Sequence, residues 1–207
     1  LALGVAERGD DEVLDHLDLP TVAGVGGSLG GAVAILMHRL DPQRWTRLLL
    51  AEPVAFPTDA FPHQHENPMA AAARRRRPTF ATRAEMTGTY RSKEPLSQLA
   101  PEALDAYIRW GTTVDASGVH LACRPEIEAT IFEVSAAAGG AAHAWDHLPD
   151  LTCPTTIVAG EHTFLPDIFA AQAKRARADL ITVPGGHFVL HENTTRGADL
   201  IAREALP

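Results

Sequence analysis

Ser28 lies in the stretch GGSLG at residues 26–30, where one glycine stands two positions before the serine and another two positions after it. A short apolar stretch, TVAGV (21–25), precedes it, and a longer one, LGGAVAILMHRL (29–40), continues from it. The G-x-S-x-G pattern between a strand and a helix predicts a sharp, strained turn that holds the serine hydroxyl clear of a sheet. A serine presented in this way can act as a nucleophile.

The residues around Ser28 favour a nucleophile over a nucleotide-binding loop. We expect side chains at Gly26 and Gly30 to collide with the turn, and the Leu29 N–H, at the helix start, to point at a developing oxyanion. A dinucleotide-binding fingerprint requires a third glycine where Leu29 stands, and a P-loop requires lysine where Ala32 stands. The alternative that stays open is a glycine-rich turn without chemistry.

A serine nucleophile needs a histidine base that a carboxylate orients, in the chain order serine, acid, histidine. His187 follows the last apolar strand pattern, in VPGGHF, on a loop at the C-terminal end of that strand. Because the C-terminal ends of parallel strands share one edge of a sheet, we expect His187 to lie near Ser28. The alternative is an ordinary surface-loop histidine.

Three carboxylates compete for the role of the acid. Glu52 ends the apolar pattern RLLLA on the strand after the nucleophile helix, where burial without a partner would be costly. Glu161 and Asp167 follow the next-to-last strand, the usual place for this acid, but the usual position itself holds Thr163. We favour Glu52, with Glu161 and Asp167 open as alternatives.

Strand and helix patterns alternate around these residues. The strand patterns lie at 21–25, 47–53, 154–161 and 179–186, and the helix patterns at 29–40, 166–178 and 194–206. This alternation predicts an α/β fold with a mostly parallel sheet flanked by helices. Prolines and helical patterns replace the alternation at 56–148, which predicts a helical cap or lid insertion. Residues 1–55 and 149–207 then form the core.

Two features of the insertion bear on substrate choice. Its aromatic side chains either line an apolar pocket or pack the insertion's own core: Phe56, Phe61, Phe80, Tyr90 and Trp110. A run of four arginines at 74–77 is expected on a solvated helix surface, with carboxylate binding as the alternative.

Composition argues against two classes of partner, and we expect a small-molecule substrate instead. The formal net charge of −8 argues against nucleic acid or an anionic membrane surface. No apolar run approaches the ~18 residues that a membrane span needs. Cys123 and Cys153 are the only cysteines, and they form neither a disulfide framework nor a zinc motif, which favours the cytoplasm. We expect no metal and no organic cofactor.

With these residues the chain resembles the α/β-hydrolase superfamily, in its cap-bearing branch. The resemblance rests on VGGSLGG around Ser28, LLLAEP with Glu52, the strand IVAGE and VPGGHF with His187. It implies hydrolysis through an acyl-enzyme, in which Ser28 attacks, His187 transfers protons and the Leu29 N–H holds the oxyanion. A known family variant places the acid after the strand that follows the nucleophile, which supports Glu52.

The resemblance also implies strands and an oxyanion loop before the nucleophile, and nothing in this sequence corresponds to them. We therefore expect an N-terminally truncated chain whose second oxyanion donor lies outside it. The expected function is a serine hydrolase that cleaves an ester or related acyl bond of a small or medium apolar substrate. The alternatives are a non-catalytic binding module of the same fold and an inactive fragment of an active parent.

Overall fold

A computed structural model of the protein describes residues 13–57, 67–137 and 139–206. The chain divides into two compact units. The first comprises Leu1–Pro62, Ser135–Leu190 and Thr195–Pro207, and the second comprises His63–Val134 and His191–Thr194. In the described ranges, no helix has the length and apolar character that crossing a membrane requires.

The described residues form the following strands and helices. The strands are β1 (Val22–Gly27), β2 (Trp45–Ala51), β3 (Thr79–Phe80), β4 (Thr112–Asp115), β5 (Gly118–Leu121), β6 (Thr155–Gly160) and β7 (Asp179–Val183). The helices are α1 (Leu29–Leu40), α2 (Pro68–Arg74), α3 (Arg83–Arg91), α4 (Pro101–Trp110), α5 (Pro125–Ala136), α6 (Ala144–His147), α7 (Pro166–Ala176) and α8 (Thr194–Glu204).

The first unit contains a four-stranded parallel sheet in the order β1-β2-β6-β7. Gly27 at the end of β1 pairs with Ala51 at the end of β2, so the residues that follow these two strands emerge side by side. The predicted parallel α/β fold is confirmed. Its strands are apolar at consecutive positions because helices cover both faces of the sheet.

The two faces of this sheet pack into separate apolar clusters. Leu48, Leu50 and Ile157 point to one face, where α1 and α7 cover them. Leu49 and Val158 point to the other face, where α8 covers them. Each of these five side chains is fully buried. The sheet therefore forms a rigid base for the loops at its C-terminal edge.

The second unit contains a three-stranded antiparallel sheet, in the order β3-β5-β4, which the sequence analysis did not predict. A hairpin joins β4 to β5, and Gly118, the first residue of β5 after the turn, has a positive φ of 134°. These strands are only two to four residues long. They were missed because so few residues show no clear alternation.

Two aromatic residues of the predicted insertion take the second of the expected roles and pack its core. Phe80 and Tyr90 are buried and pack edge to face in the core of the second unit, with ring centroids 5.7 Å apart. Trp110 is 75% exposed. Phe61 lies outside the described residues.

The arginine run does not lie on one solvated helix. Helix α2 ends at Arg74, so the following arginines leave the helix. The Arg76 guanidinium donates to the hydroxyls of Tyr107 at 2.7 Å and Tyr90 at 3.2 Å, and it pairs with the Glu128 carboxylate. The expectation of a solvated surface is wrong for Arg76, which binds a carboxylate of its own unit.

His38 ties the C-terminal half of α1 to the loop that precedes β6. It is buried, and its Nε2 accepts a hydrogen bond from the Thr152 N–H at 3.3 Å and lies 3.2 Å from the Thr152 hydroxyl. Burial lowers the pKa of His38 below its usual value, and the nearby Asp150 carboxylate only partly opposes this effect. The folded protein therefore favours neutral His38.

We expect His38 to make stability fall in mild acid. The unfolded chain binds a proton at His38 near pH 6.5, whereas the folded chain binds it only at a lower pH. The contribution of neutral His38 to the free energy of unfolding is complete above about pH 6.5. It is lost as the pH falls towards the pKa of His38 in the folded protein, by at most about 1.4 kcal/mol per pH unit. Urea unfolding across this range should show a smaller pH slope in His38→Gln than in the wild type. Equal slopes would contradict the assignment.

Candidate active site

Ser28 occupies a strained turn between β1 and α1. Its backbone has φ of 51° and ψ of −119°, a conformation that L-residues rarely adopt and that costs of order 1–3 kcal/mol. Although Ser28 is the residue before the helix, its side chain makes no capping hydrogen bond to α1. The Ser28 N–H donates to the Ala51 carbonyl at 2.9 Å, which ties the turn to the end of β2. The turn therefore leaves the hydroxyl unused by the helix.

The glycines around this turn have different roles. A Cβ at Gly26 would lie 2.5 Å from the Gly30 carbonyl oxygen, so Gly26 is required, as expected. The same expectation is wrong for Gly30, where a Cβ would meet no atom within 4 Å because this face of α1 is open. The second tight position is Gly31, where a Cβ would lie 2.6 Å from the Pro53 Cβ. Leu29 is the first residue of α1, a position whose N–H has no acceptor within the helix.

Glu52 directly follows β2 and has a positive φ of 44°. It is only 1% exposed, and both of its carboxylate oxygens have partners. Oε1 accepts the Gly160 N–H at 2.9 Å, and Oε2 lies 2.9 Å from His187 Nδ1. The structure thus brings together the acid and the base that the sequence analysis favoured.

This contact determines how His187 can act. An ionised carboxylate only accepts hydrogen bonds, so Nδ1 of His187 carries the hydrogen that Glu52 receives. The lone pair of a neutral imidazole then lies on Nε2, which is free to take a proton. The His187 side chain is 31% exposed, whereas Glu52 is shielded from water. The arrangement suits a histidine that exchanges protons with a bound molecule.

Backbone hydrogen bonds join the residues at the end of β6 to the loop that follows β7 and carries His187, which we call the histidine loop. The Glu161 N–H donates to the Val183 carbonyl at 2.8 Å, and the His162 N–H donates to the Gly185 carbonyl at 2.9 Å. A Cβ at Gly160 would lie 2.4 Å from the carbonyl oxygens of Gly185 and Gly186, so only glycine admits this approach. The sequence analysis missed Gly160. The only available signal was a glycine at the end of the apolar strand IVAG.

The alternative acids lie elsewhere. Glu161 and Asp167 are exposed, and neither forms an ion pair or hydrogen bond with His187 in the described chain. Asp167 lies in the first turn of α7, where its charge complements the helix dipole. The Thr163 hydroxyl accepts a hydrogen bond from the Leu165 N–H at 3.3 Å and so closes a local turn.

Ser28 follows β1, the strand that pairs with β2, so it lies beside the strand end that carries Glu52. The described residues include no hydrogen bond between the Ser28 hydroxyl and His187. Catalytic hydrogen bonds often form fully only when a substrate binds, so the lack of this bond is compatible with a serine–histidine pair. Within the same residues, no group of three or more His, Cys, Asp or Glu side chains could hold a metal ion.

The family model described as "Alpha/beta hydrolase family" matches residues 2–202. The chain belongs to this family. A search of curated proteins found no match.

Several solved structures share the alpha/beta hydrolase fold with this chain at low sequence identity. E-2-(acetamidomethylene)succinate hydrolase is 16% identical with a TM-score of 0.73, over 98% of this chain and 73% of that one. A thioesterase domain from the curacin biosynthetic pathway is 20% identical with a TM-score of 0.69, over 94% and 70%. A thermophilic esterase from Thermogutta terrifontis is 22% identical with a TM-score of 0.58, over 92% and 67%. These similarities show the fold alone.

Gly26 and Gly30 provide a matched test of the turn in this hydrolase fold. We expect Gly26→Ala to lower the free energy of unfolding by about 1–3 kcal/mol, because its methyl group would overlap the backbone of α1. Gly30→Ala should leave that free energy unchanged or raise it by up to about 1 kcal/mol, because alanine favours the helix. Urea titration of both variants measures the difference. Similar losses in the two variants would contradict this description of the turn.

Proposed function

We propose that the protein is a serine hydrolase that cleaves an ester or related acyl bond of a small or medium apolar substrate, without a cofactor. The main support is the buried Glu52 carboxylate, which joins the Gly160 N–H to His187 Nδ1. The strained backbone at Ser28 adds to this support. The acyl specificity is suggested by neighbours whose names include a thioesterase and an esterase.

The proposed first half-reaction forms the acyl-enzyme. The Ser28 hydroxyl oxygen attacks the carbonyl carbon of the ester while Nε2 of His187 takes its proton. Glu52 stabilises the resulting imidazolium and fixes its orientation. The Leu29 N–H donates to the oxyanion of the tetrahedral intermediate. As the intermediate collapses, His187 returns the proton to the departing alcohol, and the acyl group stays on Ser28.

The proposed second half-reaction releases the acid. A water molecule attacks the acyl carbon, and Nε2 of His187 takes one of its protons. The second tetrahedral intermediate uses the same oxyanion donor. It collapses when His187 returns the proton to the Ser28 oxygen, which frees the carboxylic acid and restores the enzyme. No metal or redox group is needed to balance either step.

The remaining expectations from the sequence accompany this proposal. Residues 56–148 are proposed to govern substrate choice, as insertions in hydrolases of this kind can do. A cytoplasmic location stays a prediction that rests on cysteine usage.

We expect a fluorophosphonate probe to label the wild-type protein at Ser28. Ser28→Ala should lose this labelling and should lower ester turnover by about 10⁴-fold, because no nucleophile remains. Labelling is read by mass spectrometry of the modified peptide, and circular dichroism verifies that both proteins are folded. A folded wild-type protein that is never labelled would contradict hydrolase activity of this chain and favour a non-catalytic binding module or an inactive fragment of an active parent.

We expect Glu52→Gln to lower kcat by at least about 10²-fold while the protein stays folded. The glutamine amide would donate to His187 Nδ1, which places the histidine hydrogen on Nε2 and removes the base. The matched control is Asp167→Asn, which neutralises an exposed carboxylate of the usual acid loop and should leave kcat within about twofold. Wild-type turnover in Glu52→Gln, or a large loss in Asp167→Asn, would overturn the choice of acid.

A further inference from the structure

The short segment after Glu52 is contacted from three sides within the first unit. The Val54 N–H donates to the Ser28 carbonyl at 3.0 Å. Pro53 packs against α1 at Gly31, where even one methyl group would not fit. Ala55 is fully buried in the apolar cluster that α1 and α7 share. This segment therefore links the turn at Ser28 to the acid.

Gln172 contacts the same segment from the middle of α7. Its side-chain Nε2 donates to the Pro53 carbonyl at 3.1 Å and to the Ala55 carbonyl at 2.8 Å. Gln172 is fully buried, and its neighbours on the helix, Phe169 and Ala173, belong to the surrounding apolar cluster. Burying a primary amide is costly unless it is hydrogen-bonded, and only the Nε2 of Gln172 is paired, since its Oε1 has no hydrogen-bond partner among the described residues. An apolar residue would avoid the unpaired oxygen but would leave both carbonyl groups without this donor. The amide therefore has a use beyond packing.

The two carbonyl groups that Gln172 binds follow a residue in an unusual conformation. Glu52 has a positive φ of 44°, which is uncommon for residues other than glycine and persists only where surrounding contacts hold it. The direction of its side chain depends on the path of the backbone at residues 53–55. The Ala55 N–H donates to the Pro53 carbonyl at 2.9 Å, and the Gln172 amide binds the carbonyl groups at both ends of this short segment.

We propose that Gln172 is a positioning residue, which holds the backbone after Glu52 so that the carboxylate reaches both the Gly160 N–H and His187. The proposal rests on the proposed function, in which Glu52 orients the base. It assigns Gln172 an effect on turnover although the side chain contacts neither Ser28 nor His187. The competing explanation is that Gln172 only satisfies two buried carbonyl groups and so contributes to stability alone.

The variant Gln172→Met tests this, because methionine has a similar length but no donor. We expect kcat to fall at least about tenfold, since small misplacements of catalytic groups are costly, with KM changed less than twofold. The matched control is His38→Leu, which also replaces a buried polar residue. His38 binds Thr152 before the start of β6, whereas Glu52 binds Gly160 at the end of that strand. It should lose stability while its kcat stays near that of the wild type. All rates are measured well below the unfolding temperature of each variant.

A second readout does not depend on turnover. The His187 Nδ1–H, donated to Glu52, should give a downfield proton NMR signal in the wild type, which His187→Gln removes and so assigns. Gln172→Met should lose or shift this signal, and His38→Leu should retain it. If methionine prevents folding, Gln172→Asn serves instead, because its shorter amide cannot reach both carbonyl groups.

The outcomes separate the two proposals. A folded Gln172 variant with unchanged kcat and an unchanged His187 signal, whatever its stability, would overturn the positioning role. A wild-type protein that shows the signal but is not labelled at Ser28 would overturn the proposed function. In that case a signal lost in Gln172→Met and kept in His38→Leu would still support the positioning role.

Discussion

The buried carboxylate of Glu52 is the interaction on which the rest of the candidate site depends. A carboxylate that is 1% exposed is stable in its charged form only if its oxygens are paired. Here the partners come from two other segments, the Gly160 N–H at the end of β6 and the imidazole of His187 after β7. Three neighbouring strand ends must therefore keep their register, and Gly160 must lack a side chain to let the histidine loop approach.

Local strain is concentrated where the chemistry is proposed. Ser28 and Glu52 both have positive φ angles, and they follow strands whose last residues pair with each other. Their backbones are joined by the hydrogen bond from the Ser28 N–H to the Ala51 carbonyl and by the one from the Val54 N–H to the Ser28 carbonyl. Such conformations persist only when the surroundings over-determine them. The sheet, packed on both faces, supplies that rigidity.

The sequence predicted the parallel sheet and the pair Glu52–His187, because strong physical constraints leave patterns in it. A continuous apolar run predicts a strand that is buried on both faces, and a carboxylate at the end of such a run predicts a buried partner for its charge. The antiparallel sheet of the second unit left no comparable pattern, since its strands are too short. Gln172 was missed for another reason. A glutamine within a helix looks solvent-exposed, and only the fold reveals that this position is buried against the carbonyl groups of residues 53–55.

In the proposed mechanism Glu52, after β2, takes the role that the resemblance places after β6 at position 163, where this chain has Thr163. With Glu52 supplying the charge from the end of β2, the loop after β6 needs to supply only hydrogen-bond donors. It does so through the Gly160 N–H, which binds the acid, and through the N–H groups of Glu161 and His162, which bind the histidine loop. A carboxylate at 163 would add a negative charge to a loop whose backbone already fixes the base.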